Sequence, residues 1–113
     1  MSDCLFCKII NKEIKSNIVL ENDSFLVFED IHPKADIHLL IVPKIHIESV
    51  DHAEKKDVNV LGDMFLKAKE VAEKLNLKGK YRLQVNVGRD GGQEIDHIHM
   101  HFLADKKKEV AME

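Results

Sequence analysis

The chain has no tryptophan, a single tyrosine, two cysteines and no surplus of basic charge. Each shortage excludes something. Aspartate and glutamate number 20 against 17 for lysine plus arginine, a formal charge of −3, so no positive field advertises binding to nucleic acid or to a membrane. No apolar run approaches the roughly 18 residues that a membrane span needs. Two cysteines in 113 residues do not make a disulfide scaffold. None is needed, because a chain of this size buries about 65% of the surface its unfolded form exposes. That length also leaves no room for a second core, so residues 1–113 are expected to form one domain. Repeats, interdomain linkers and low-complexity tracts are all missing. Met1-Ser2-Asp3-Cys4 puts no basic stretch ahead of an apolar one, so it does not read as a secretory signal, and a cytoplasmic setting is expected. Against these shortages stand seven histidines, and their positions decide the reading.

Hydrophobic periodicity divides the chain. Within residues 2–11, Phe6, Ile9 and Ile10 have the spacing of a short helix laid on a core. Residues 18–21 and 24–29, joined by the turn formers Asn22 and Asp23, read as a hairpin. Residues 38–42 are branched and apolar on both faces, and Pro43 closes this buried strand. From 53 to 76 the period lengthens, with Leu61, Met64, Phe65, Ala68, Val71, Ala72 and Leu75 forming the stripe of a long amphipathic helix, stopped by Asn76 and Gly79. Strands follow at 81–87 and 96–103, and residues 104–113 read as a solvated, flexible tail. Most neighbouring strands have no crossover helix between them and must pair antiparallel, which predicts an α+β fold with its helices on one face of a sheet.

The segment His97-Ile98-His99-Met100-His101-Phe102-Leu103 carries the most chemistry. In a strand the three histidines share one face and Ile98, Met100 and Phe102 the other, with successive histidines on the order of 7 Å apart. Imidazole supplies a nucleophilic nitrogen, a donor when protonated, and both forms near neutrality. One histidine on a strand is usually a satisfied polar residue; three in strict alternation point to a reactive or ligand-binding site. His-x-His is also a metal-ligand spacing, but a third histidine further along one straight strand rarely suits a single ion. Upstream, Gly88-Arg89-Asp90-Gly91-Gly92 reads either as a plain turn or as a loop whose amides cradle a phosphate. Cys4 and Cys7 are open to three readings: half a zinc site, a redox pair, or two small apolar residues on a short helix. The redox reading is the weakest, since no βαβ unit follows.

These residues resemble the histidine triad (HIT) superfamily, whose signature alternates three histidines with apolar residues and which 97–103 matches throughout. The similarity extends through FCKIINKEI (6–14), FEDI (28–31), HLLIVPK (38–44) and the glycines before the triad, and it looks like the Hint branch of purine nucleoside phosphoramidases. The resemblance implies a five-stranded antiparallel sheet and a homodimer formed partly through the long helix. It implies cleavage of a P–N bond through a nucleotidyl-histidine intermediate. His99 would be the nucleophile, and His101 would bond a phosphoryl oxygen and aid the leaving amine. His97 and His38 would support them. Phe6, Ile9, Ile14 and Phe28 would wall the purine base. Asp30, with Ile31 beside it, would grip the ribose, and Asn86, Gly92, Gln93 and Glu94 would line the phosphate. Catalysis would need no cofactor. The alternatives are a dinucleoside polyphosphate hydrolase, as in the related Fhit branch, or a zinc-containing nucleotide-binding module without turnover.

The resemblance also bears on the cysteines, because some relatives hold structural zinc through such a pair. The matching ligands here are Cys4, Cys7, His46 and His97, four as a closed tetrahedral site requires. His32 and His52 are expected at the surface. Three positions depart from the family pattern: Glu94 where some relatives have serine, Asp96 where an aromatic is usual, and Ala104-Asp105-Lys106 in place of a longer segment that follows the triad and closes over the leaving group.

Overall fold

The computed structural model describes residues 4–105; residues 1–3 and 106–113, which include most of the expected tail, lie outside the described residues. The elements are α1 (Leu5–Ile10), β1 (Ile18–Glu21), β2 (Phe25–Glu29), β3 (Ile37–Pro43), α2 (Val58–Lys74), β4 (Arg82–Gln84) and β5 (Met100–Ala104). All five strands form one antiparallel sheet in the order β1-β2-β3-β5-β4. The expected hairpin closes through Asn22, whose side-chain oxygen accepts the amides of Ser24 and Phe25, both at 2.8 Å.

Side-chain alternation on β2 and β3 explains the layers. Phe25, Val27, Leu39 and Ile41 face α2, where they pack with its buried residues Met64, Ala68, Val71 and Ala72. Leu26, Phe28, Leu40 and Val42 point the other way and pack with Phe6 and Ile9 of α1. The helices therefore lie on opposite faces, which corrects the expectation of one. The physical reason is that β2 and β3 are apolar on both sides, and a second apolar face needs a cover of its own. A six-residue helix covers only part of it. What it leaves open is the cleft described below.

Element ends also moved. The long helix starts at Val58, after a separate 3-10 turn at Lys55–Asp57 in which the amide of Glu54 donates to the Asp57 carboxylate at 2.9 Å. Asn76 does stop it. With φ at 60°, it lets the amide of Leu77 reach back to the carbonyl of Ala72 at 2.8 Å, the 6→1 bond of a Schellman cap. Phe65 was expected in the core stripe but is 58% exposed, beside Leu66 at 62%. Only His101 of the triad lies within β5, because the preceding segment turns toward the chain beyond β3, where the amide of Ile98 donates to Ile47 at 2.7 Å. That turn also deprives 85–87 of a partner, so β4 ends at Gln84. Ala104, expected in the tail, is buried as the last residue of β5. Among the described residues no helix is long and apolar enough to cross a membrane.

Candidate active site

The uncovered half of the α1-side face floors a cleft of about 540 Å3, a size that suits a small-molecule ligand. Strand register builds it. Leu103 of β5 lies between His38 of β3 and Arg82 of β4, and His101 between Leu40 and Gln84, so two cross-strand rows present these side chains together. Phe6, Ile9, Ile14 and Phe28 make an apolar wall, with Asp30 and the highly exposed Ile31 at its rim. Asn86, Gly92 and Glu94 contribute from the far side. Gly92 has φ at 91°, which favours glycine, and a Cβ there would also crowd the Asn86 amide nitrogen at 3.0 Å.

The hydrogen bonds assign the protons on the imidazoles. His99 is buried, and its Nδ1 lies 2.7 Å from the backbone carbonyl of His97. A carbonyl can only accept, so Nδ1 carries the proton and Nε2 keeps the lone pair. His38 is fixed the other way: the amide of Lys34 donates to its Nδ1 at 3.0 Å, which leaves the proton on Nε2. That Nε2–H lies 2.9 Å from Nδ1 of His101 and donates to it. His101 therefore carries its own proton on Nε2. Asp30 stands 3.5 Å from Nε2 of His38 and accepts the amide of His32 at 2.8 Å. With ring centroids 5.1 Å apart, His99 and His101 thus sit side by side as opposite tautomers, one with a lone pair on Nε2 and one with a proton there.

Burial keeps these rings neutral. Desolvation pushes His101 from 6.5 down to about 4, helped by His99 and His38 nearby. Burial also lowers His99, against the His97 carbonyl, and lowers His38, against the pull of Asp30.

His97 points elsewhere. Its Nε2–H donates to the carbonyl of Pro43 at 2.8 Å, so its Nδ1 holds a lone pair that faces Cys4 Sγ at 3.3 Å, Cys7 Sγ at 3.6 Å and His46 Nδ1 at 3.1 Å. His46 Nδ1 is 3.4 Å from Cys7 Sγ. Four ligands around one zinc ion, at typical Zn–S and Zn–N lengths, would sit roughly 3.3–3.8 Å apart, so the four-residue group fits a tetrahedral ion with slight expansion. Burial lowers His97 to about 4, which keeps it in the neutral form a metal needs. Burial raises the Cys4 thiol above its ordinary value. The cysteines form no disulfide.

The amides of Gly91 and Gln93 donate to the carbonyl of Gly88, and that of Gly92 to Arg89, so the glycine loop closes on itself and does not aim these amides at an anion. Gln93 is buried outside the cleft: its oxygen accepts the Gly88 amide and its nitrogen donates to the carbonyls of Glu48 and Ile95. It braces the loop that presents Gly92 and Glu94. His52 is a surface residue bonded to Ser49 at 2.8 Å, whereas exposed His32 borders the cleft. Lys15, Ser16, Arg82 and Gln84 also line it and were not foreseen. Only the last two had a readable signal, since they alternate with Leu83 on a strand.

Comparison with known proteins follows the same lines. Residues 3–113 match the family described as scavenger mRNA decapping enzyme C-term binding. The chain is 41% identical over 103 residues to protein HitA of Neisseria gonorrhoeae, covering 91% of this chain and 96% of that one. Among solved structures it resembles a HIT family hydrolase from Legionella pneumophila, with 42% identity, a TM-score of 0.89, and coverage of 93% and 95% of the two chains. It also resembles a histidine triad nucleotide-binding protein from Candida albicans, with 32% identity, a TM-score of 0.83, and coverage of 94% and 77%. Sequence, fold and the arrangement of imidazoles agree that this chain belongs to the histidine triad (HIT) family.

Proposed function

We propose that the protein is a nucleotide hydrolase that cleaves the P–N bond of purine nucleoside 5′-phosphoramidates, or of related aminoacyl adenylates, through a nucleotidyl-His99 intermediate. The observation that carries this reading is the pair of opposite tautomers. Nε2 of His99 is a nucleophile already stripped of its proton, and Nε2–H of His101 is a donor beside it. Attack by Nε2 on the α-phosphorus forms a P–N bond to the enzyme and breaks the bond to the leaving amine. The proton that the amine needs comes from His101, help worth about 10²–10⁴-fold. As His101 gives up that proton, the Nε2–H of His38 stays bonded to Nδ1 of His101 at 2.9 Å and offsets the negative charge that develops on that ring. Water then attacks the phosphorus and gives a proton to the vacant Nε2 of His101, which breaks the bond to His99, releases the nucleotide and returns both histidines to their starting forms. The apolar wall of Phe6, Ile9, Ile14 and Phe28 suits a purine, and Asp30 suits ribose hydroxyls.

Every group in this sequence is a side chain, and no step needs a cofactor. Zinc held by Cys4, Cys7, His46 and His97 would have a closed shell and a structural role. Val58, Phe65 and Leu66 leave an apolar stripe on α2 that no described residue covers, and β4 leaves a sheet edge open; both support a homodimer. Sedimentation should then give twice the chain mass, and Phe65→Asp should shift it to the monomer.

The function is tested by mixing the protein with adenosine 5′-phosphoramidate, quenching within the first turnover and locating AMP by mass spectrometry of peptides. AMP on His99 is expected. A panel of phosphoramidate, lysyl adenylate and dinucleoside polyphosphates identifies the favoured leaving group. Tight AMP binding with no turnover on any of them would sink the reading in favour of a binding module.

A further inference from the structure

The cysteine–histidine group is tied to the nucleophile by two routes. The first runs through His97, whose backbone carbonyl holds the Nδ1 proton of His99 at 2.7 Å. The ring of that same residue is clamped at both nitrogens, by the Pro43 carbonyl at 2.8 Å and by the sulfurs at 3.3 and 3.6 Å. The second runs through α1. Cys4 and Cys7 bracket Phe6, whose ring meets His99 edge-on at 4.9 Å and His97 at 5.9 Å. At six residues α1 is too short to hold itself together by its own hydrogen bonds. It depends on Phe6 and Ile9 in the core and on the two sulfurs, one of which also accepts the Cys7 amide at the helix start.

We propose that Cys4 and Cys7, holding a zinc ion together with His46 and His97, are positioning residues for His99. The filled group fixes the His97 carbonyl and the Phe6 ring in the places that keep His99 in its Nδ1–H form with Nε2 toward the cleft. The inference rests on the nucleophilic role proposed for His99. Emptying the group leaves Nδ1 of His97 and the start of α1 held only by weak hydrogen bonds to sulfur. His99 then gains access to the Nε2–H form, in which no lone pair faces the cleft. Displacements of this kind cost about 10- to 100-fold in rate.

The test uses the full chain labelled with nitrogen-15 in histidine, in four states: zinc-loaded, chelated, reloaded with zinc, and as the zinc-treated His46→Ala variant. His46 is exposed and outside α1, so that variant removes one ligand and leaves the helix sequence intact. Imidazole nitrogen shifts report the tautomer of His99, elemental analysis reports zinc, and kcat and KM are read on adenosine 5′-phosphoramidate. One zinc per chain is expected. Chelation and His46→Ala should move His99 toward Nε2–H and lower kcat by about 10- to 100-fold, with KM changing less, and reloading should restore both. Unchanged His99 signals and kcat alongside a lower Tm would overturn the proposal, as would failure to bind zinc. Loss of all histidine signals together on chelation would also overturn it, since the metal would then be holding the whole fold. If His99 responds to zinc in a protein that turns over no substrate, the positioning stands and the proposed reaction falls.

Discussion

At the Cys4 end of the triad segment, two imidazoles turn Nδ1 toward two sulfurs; at the Asp30 end, two others pass a proton between them. The groups are built from the same residue type and meet within His97-Ile98-His99, yet their chemistry differs. What separates them is the backbone atom facing each ring. The Pro43 carbonyl takes the Nε2 proton of His97 and leaves a lone pair on Nδ1, whereas the His97 carbonyl takes the Nδ1 proton of His99 and leaves a lone pair on Nε2. The Lys34 amide does the reverse at His38, forcing a proton outward to His101. A histidine's role in this protein is thus assigned by main-chain donors and acceptors, not by its place in the motif.

The sharpest way to break this comparison is His99→Ala. It should lower kcat by on the order of 10⁴-fold or more while AMP affinity, measured by calorimetry, stays close to that of the parent. A variant that retained full turnover would show that the two groups are not divided as described. His101→Gln should cost about 10²–10⁴-fold on a phosphoramidate, and less on an adenylate whose leaving group needs no proton; equal losses on both substrates would remove the acid role.

A third measurement sharpens the electrostatic side. His101 titrates near 6.5 when unfolded but is pushed down to about 4 in the native protein, so between those values the unfolded chain binds a proton that the folded chain refuses. Stability should therefore fall as pH drops from 6.5 toward 4, by on the order of 2 kcal/mol from this residue, and level off below. Urea unfolding across that range reads it, and His101→Gln should flatten the slope. The smallest effect belongs to a histidine outside both groups: His52→Ala removes a surface bond to Ser49 and should change stability by no more than about 0.5 kcal/mol, with kcat unaltered.

Periodicity revealed much of this in advance. The alternation does set Ile98, Met100 and Phe102 in the core and His99 and His101 at the cleft, while His97 turns to the cysteines. The stripe of Met64, Ala68, Val71 and Ala72 and the stop at Asn76 were legible for the same reason, that helix geometry repeats on a fixed period. Phe65 was not, because an apolar residue on the edge of a stripe reads the same whether the chain or a second molecule covers it. Placement of α1 on the opposite face depends on which side of β2 and β3 remains open, a property of the sheet that no short window contains. The motif does not say which way the Gln93 amide turns; its bonds to Gly88, Glu48 and Ile95 follow from loop packing. Lys15 and Ser16 enter the cleft only because the chain between α1 and β1 passes beside Asp30.

The strand order has one more consequence. β5 follows every other described strand in the chain, yet it lies between β3 and β4 in the sheet. During synthesis, β3 therefore waits with an unfilled side until residues 100–104 have left the ribosome, and His101 arrives with the segment that fills it. Closing the sheet and arming the cleft are a single event. A chain interrupted before that point carries an exposed strand edge and lacks His101, so incomplete copies are candidates for aggregation and degradation.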